Sequence, residues 1–508
     1  MNMLLPYRIA NVHLALALTL TLSGCSTMRS YDGELKQTVD LVAQGRIDQA
    51  LQQQEANNTS SDKDLLYFLE KGELFRLKNQ YNDSIATWLS ADKLVNEWEN
   101  EAKIRGSAIL ENIGSVLLND KTRRYDGHDY EKVMLSTQLA LNHLLNGKWD
   151  LARTEIKKTH EREAIIAQYR TQETDAVEKA SRQKGVSTTF KDLNGYPVAT
   201  LDSPDVSELK NGYQSAFSHY LAGFVYEALN EPSLAAPGYR QAIELRPNIK
   251  LLEEGLAGLD HRNHDLNANT TDVLLVVESG AAPALSSITI PIPVFYNNLG
   301  VIPISFPILH SEPIRTALPS SVSIDGVMTQ NLVGITSLDA MAKRALRDDI
   351  PGIVLRGVLR AAVKTASQKA LMSSDNGYVK LAGIALNVMN VITESADERS
   401  WRTLPSLISI ARFTLPEGKH TFSVMNSNGT VSSESVNING SHALVTVRTL
   451  GDQTYWSQPI YSGQMPARVA LPPQKVETLD SNESTPINKK ESSNKRTQRN
   501  KLKKKVKK

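Results

Sequence analysis

Cysteine is almost absent from this chain: Cys25 is the only one in 508 residues. That excludes an internal disulfide, a cysteine-built zinc site and a thiol nucleophile in the folded body. Apolar runs are short as well. The longest candidates, residues 9–22 and 377–392, fall below the roughly 20 residues that a membrane-spanning helix needs. Missing too are an HExxH pair, a G-x-S-x-G elbow and a glycine-rich phosphate loop. The expectation is a protein that is not an enzyme and holds neither cofactor nor metal.

Charge of one sign is not lacking overall, since the formal net charge is +2, but it is unevenly placed. Residues 489–508 hold eleven Lys or Arg and a single acid, Glu491. Without that tail and Arg8 the body is acidic, which argues against nucleic acid as a partner. At this length a single hydrophobic core is exceeded, so two or three domains are expected.

Arg8 followed by the apolar run 9–22 reads as an export signal. It ends in Leu22-Ser23-Gly24-Cys25, which resembles the lipobox of bacterial lipoproteins: small residues precede the cleavage point and a thiol stands ready for a diacylglycerol (palmitate-type) anchor. Ser26 follows, where an Asp would usually signal inner-membrane retention. The expectation is a signal peptide over 1–24, lipidation of Cys25, and an outer-membrane protein facing the periplasm.

A repeat of 34 residues runs through 25–259. Gly223, Tyr226, Ala235, Tyr239, Ala242 and Pro247 stand in a register that resembles the tetratricopeptide repeat. There, small residues let two helices approach and aromatics fill the space between them. The register recurs at Gly72, Phe75, Ser84, Trp88 and Ala91, with Tyr81 in the turn. It recurs at Ala140, Ala152 and Ile156, with Gly147 and Trp149 in the turn, and more weakly at Gly45, Ile47 and Ala50. Gly106 falls on the missing step, in a degenerate copy. Residues 154–183 read as a charged helical insertion: a projecting helix, a short coiled coil or a solvated long helix. Stacked helix pairs form a solenoid with a groove, a place for an envelope protein partner, with Asn142 and His219 as candidate partner-binding residues because they are out of step with the packing positions.

Polar residues 260–271 form a linker. Beyond it, 272–278 reads as a buried strand, 288–294 as a strand that Pro291 and Pro293 confine to a sheet edge, and 301–306 as a third. Residues 350–372 and 377–392 read as helices, the second apolar nearly all round and therefore buried. Strands 406–415 and 420–425 are joined by Pro416-Glu417-Gly418-Lys419, read as a hairpin turn. Asn428-Gly429 and Asn439-Gly440 mark further turns, and 443–447 a further strand. The fold class is thus multidomain: an N-terminal all-α tetratricopeptide-like solenoid, an α+β domain over 272–472, and a disordered basic tail over 473–508. That tail is either simply solvated or an electrostatic attachment to an anionic envelope polymer.

Lipobox, repeats and two local motifs together resemble an uncharacterised family of bacterial lipoproteins with tetratricopeptide-like repeats. The motifs are Tyr125-Asp126-Gly127-His128-Asp129-Tyr130-Glu131-Lys132-Val133-Met134, and LVGITSLDAMAKRALRDDIPGIVLRGVL at 332–359 with Asp397-Glu398-Arg399-Ser400-Trp401-Arg402-Thr403-Leu404-Pro405. The resemblance implies a role in the envelope, beside lipoproteins that activate peptidoglycan synthases or belong to curli-type export systems.

Other polar clusters have plain readings. His261, His264 and Asp265 lie in the linker. Asp129 is read as an N-cap beside His128. Trp401 is read as a core anchor whose neighbouring arginines pair with acids of the preceding helix. The functional expectation is a membrane-anchored scaffold or adaptor in an envelope assembly. The alternatives are an envelope enzyme acting on glycan or peptide through the α+β domain, or a structural subunit of an export system.

Overall fold

The computed structural model describes residues 31–104, 124–189, 191, 193–259, 270–294, 300–310, 318–372 and 395–459. The signal segment with Cys25, Gly106, the linker histidines, helix 377–392 and the basic tail lie outside the described residues.

Among the described residues, four helical hairpins come first: α1 (Tyr31–Ala43) with α2 (Ile47–Asn57), α3 (Leu65–Leu77) with α4 (Tyr81–Ile104), α5 (Asp129–Leu145) with α6 (Trp149–Lys184), and α7 (Ala216–Ala228) with α8 (Pro232–Leu245). One three-residue turn is used four times. Its middle residue is left-handed: Gly45 at φ 77°, Asn79 at 58°, Gly147 at 68° and Asn230 at 57°. Gly and Asn are the residues that tolerate this region best. The residue that follows donates its N–H back over the turn, Arg46 to Leu41 O, Gln80 to Phe75 O, Lys148 to His143 O and Glu231 to Tyr226 O, at 2.7–3.0 Å. This satisfies a carbonyl that the end of the helix leaves open.

The predicted small positions are where the helices touch. A Cβ on Gly72 would lie 2.2 Å from the Trp88 ring, and one on Gly223 2.7 Å from the Tyr239 ring. Trp88 Nε1 donates to Leu69 O at 3.0 Å and Ser84 Oγ to Gly72 O at 2.6 Å, so the first of these crossings is also a hydrogen-bonded one.

After a short α9 (Lys250–Ala257) come eleven strands among the described residues. β1 (Thr270–Ser279) lies at the centre of a five-stranded sheet ordered β11-β10-β1-β7-β6, with β6 Val333–Ser337, β7 Leu407–Pro416, β10 His442–Leu450 and β11 Gln453–Trp456. β1 runs parallel to β10 and antiparallel to β7. A four-stranded sheet, β5-β4-β8-β9, is built from β4 (Pro319–Ile324), β5 (Met328–Asn331), β8 (Gly418–Asn426) and β9 (Val431–Ile438). Among the described residues, β2 (Ala284–Val294) and β3 (Gly300–His310) pair only with each other.

Alternation along β1 explains the layers. Val273, Leu275 and Val277 join Phe413, Val445, Phe422 and Val424 in a core between the two sheets. Leu274 and Val276 share a second core with Leu139, Phe217, Tyr220, Trp88 and Trp401, on the helical side. Successive side chains of a strand point to opposite faces, so an apolar run such as this one serves two cores. Helices, five-stranded sheet and four-stranded sheet are therefore three consecutive layers. At the end of the expected linker, Thr270 and Thr271 belong to β1, and the helical core continues into the underside of that strand.

Four further expectations change. β7 and β8 do not form a hairpin. The chain passes from one sheet to the other at Glu417, and Gly418 adopts φ 137° at that corner. The helix expected from residue 350 begins at Leu338 and continues through Pro351 as α10 (Leu338–Met372), because a proline that reads as a first turn can also be accommodated within a long helix at the loss of one hydrogen bond. The charged helix α6 does not project alone: Ile166 meets Trp98 and Val133, and Val177 and Ala180 meet Leu355 of α10. Asp129 is the first helical residue rather than the cap. His128 takes the extended cap conformation, and its N–H donates to Glu131 at 3.0 Å.

Candidate functional site: the inner face of the helical repeats

The first helices of the repeats, α3, α5 and α7, carry the face assigned above to a partner. All of α5 and all of α7 are buried. One side of each meets the second helices, and the other meets the C-terminal half of the chain itself. A helix apolar nearly all round has no solvent face to keep, and α7 (AFSHYLAGFVYEA) shows this in its sequence.

Polar residues on this face pair across the layer boundary. Glu278 of β1, fully buried, receives Gln138 Nε2 at 2.6 Å on one oxygen and the Arg76 guanidinium on the other. Arg76 also reaches Glu73 at 3.2 Å. Arg448 of β10 lies 3.7 Å from Glu73 and donates to Glu278 O and Thr403 O. Two carboxylates and two guanidiniums thus balance. Burial raises the Glu73 carboxyl and lowers Arg448, whereas the two carboxylates hold Arg76 up against its own burial.

A second cluster lies under α7. Arg412 of β7 donates to Asp272 at 2.9 Å through Nε, to Glu227 at 2.9 Å through Nη2 and to Tyr239 OH at 2.9 Å through Nη1. Tyr239 OH donates to Glu227 at 2.5 Å. Among the described residues Glu227, Asp272 and His442 are the three whose ligand atoms come close enough together for a metal ion. The Arg412 guanidinium already stands between the two carboxylates, where a cation would otherwise go. The cluster is therefore an internal ion pair, costly to break and of modest net stabilisation.

Segment 395–406 fills the space over α3 and the start of α5. Trp401 is fully buried, as expected of an anchor, and its N–H donates to Glu131 at 2.7 Å. The Arg402 N–H donates to Glu70 at 2.6 Å, its Nε donates to Ala282 O, and its Nη1 reaches Asp32 of α1 at 3.4 Å. Arg399 pairs with Asp397 at 2.7 Å. The arginines thus find acids in the first helix and in their own segment. Burial pushes the Glu70 carboxyl up to about 7, against the opposing pull of Thr403 and the Arg402 N–H.

Asn142 and His219 are corrected by this arrangement. Asn142 is fully buried and donates through Nδ2 to Ser84 Oγ at 2.8 Å. His219 is also buried, stacked on His160 with ring centroids 5.1 Å apart and 3.1 Å from Glu163. Neither presents a side chain to an external molecule. The residues that sequence reasoning missed are Glu278, Gln138, Arg76 and Arg412. Their one signal was a charge set at the end of an apolar strand, at Glu278.

No known family matches the chain, and no curated protein matches it. Among solved structures, the crystal structure of a tetratricopeptide repeat protein from Parabacteroides merdae ATCC 43184 at 2.39 Å resolution aligns with it at 12% identity. The alignment covers 46% of this chain and 99% of that one, with a TM-score of 0.13. A superposition that loose supports no inference, so the repeat architecture stands on the four turns and the glycine contacts described above.

Proposed function

We propose that the chain is a lipoprotein scaffold of the bacterial cell envelope, held by lipid on Cys25 at the outer membrane and docking an envelope protein partner without catalysis or cofactor. The observation that supports the scaffold reading is the fusion of repeats and sandwich into one body. Glu278, Arg412 and Arg402 each tie a strand or segment of the C-terminal half to helices of the N-terminal half. A body stiffened in this way holds a surface in fixed geometry, which lowers the ordering cost of binding.

Because the chain's own sheet covers the inner face, the partner surface belongs on the second helices. Leu151 of α6 and Leu234 of α8 occupy equivalent places, four residues after the left-handed residue of each turn, and are 45% and 41% exposed. The test uses a photo-crosslinking side chain at either position in the full lipidated protein. A single envelope protein captured at both sites is expected. Capture at neither site, with capture at exposed positions of the sandwich instead, overturns the placement. The anchor is tested separately: palmitate should label the wild type, and a Cys25→Ser chain that still takes up palmitate refutes it.

A further inference from the structure

From Ser279 through Leu309 the sequence carries no charged residue, in a chain that is 22% charged. That stretch contains all but the last residue, His310, of the β2–β3 ribbon, two antiparallel strands of 11 residues each. One face of the ribbon is buried: Ile290, Ile292, Ile302, Ile304 and Phe306 lie against Ile350, Val354 and Val358 of α10. The opposite face sets Pro291 across from Pro303 and Pro293 across from Val301, all four exposed, Val301 to 67%.

Register makes these prolines informative. Pairs in an antiparallel ladder alternate between those that exchange hydrogen bonds and those whose N–H and C=O point outward to the strand edges. Two prolines directly opposite each other fit only the second kind. The same parity takes in Pro293 and Pro307. Three of the four residues in the two distal pairs are therefore prolines at positions whose backbone nitrogen faces an edge that no strand among the described residues covers. They leave the ribbon's internal bonds intact and leave Val301 as the one outward N–H donor of those two pairs. Such an edge resists addition of another strand. Its distal end also carries fewer of the N–H groups that are costly to bring unpaired into an apolar medium.

The geometry points to the outer face of this ribbon as a contact with the acyl boundary of a lipid bilayer, resting on the reading of the chain as a membrane-anchored lipoprotein. A protein partner would need a polar rim with about one hydrogen bond per 100–200 Å², and the two distal pairs of this face offer no charge and a single edge donor, the N–H of Val301. Hydrocarbon needs none and penalises both. The ribbon lies on the membrane rather than through it, since its other face is committed to α10.

The test uses the full mature chain with Cys25→Ser, so that no lipid anchor contributes, and neutral phosphatidylcholine vesicles, so that the basic tail contributes no attraction. The protein is expected to float with the vesicles. Val301→Asp combined with Pro303→Asp is expected to lower the floating fraction about tenfold, whereas Val431→Asp, an exposed apolar position on β9, leaves it unchanged. A thermal midpoint equal to the parent's verifies that the variant is folded, and Val301→Ser is the milder substitute if it is not. The inference is overturned if the Cys25→Ser chain stays with the unbound fraction, if both aspartates leave flotation unchanged, or if they abolish capture of an envelope protein and not of vesicles. Palmitate labelling of the wild type reports on the anchor independently, so loss of one reading is distinguishable from loss of the other.

Discussion

Trp401 stands edge-on to Trp88, ring centroids 5.7 Å apart and planes at 69°. One ring belongs to the second helix of a repeat and the other to the segment that leads into β7, so the pair spans the two halves of the chain. Edge-to-face aromatic pairs contribute beyond their buried area, and here both rings are fully buried.

Trp401→Ala should therefore cost about 3–5 kcal/mol and should weaken helices and sheets together. Chemical denaturation followed by far-ultraviolet circular dichroism and by intrinsic fluorescence checks this. Coincident transitions, shifted to lower denaturant, are expected. Two separated transitions in the parent protein would show that the halves unfold independently.

Asn142→Ala should cost about 1–3 kcal/mol, because Ser84 loses a buried partner. Binding of an envelope partner by the surviving folded protein should be unaffected. Thermal denaturation together with a crosslinking assay below the midpoint separates the two effects. Unchanged stability with lost capture would return Asn142 to the partner surface.

A pH dependence follows from Glu70. Its folded-state pKa is raised from 4.5 to about 7 by burial, so the folded chain binds a proton more tightly than the unfolded one. The contribution is complete below the unfolded value and is lost as pH rises through about 7. Glu70→Gln keeps an acceptor for the Arg402 N–H and removes the titration. The thermal midpoint of the variant should gain on the parent between pH 5 and 8, and a difference that does not change over this range would exclude Glu70 as the source. Asp129 acts in the opposite sense: burial opposes its charge, but Arg170 and Lys132 hold its carboxyl well below the usual range. Its contribution is present above the ordinary carboxylate pKa and is lost towards acid.

The helical hairpins were legible because a glycine and an aromatic at fixed spacing report one local crossing, as Gly72 with Trp88 and Gly223 with Tyr239. β1 was legible as a buried strand because it is apolar on both faces. The polar residues of α5 were not. Gln138 pairs with Glu278 on a strand more than a hundred residues further on, and Asn142 pairs with Ser84 in the preceding hairpin; periodicity within α5 carries no record of either. The turn at 416–419 misled for a related reason: Pro and Gly mark a reversal of direction equally well within one sheet and between two.

The place of β1 has a kinetic consequence. Its neighbours are β7 and β10, which come more than a hundred residues later in the chain. A chain made or threaded N-terminus first completes its helical hairpins early, through local contacts, and then waits with the undersides of α3, α5 and α7 uncovered. Closure of such distant pairings is slow, and apolar surface left open meanwhile invites aggregation. Assembly rate should therefore respond to substitutions in β10, such as Val445→Ala, far more than to substitutions in the repeats, and the half-made chain is the form most in need of a chaperone.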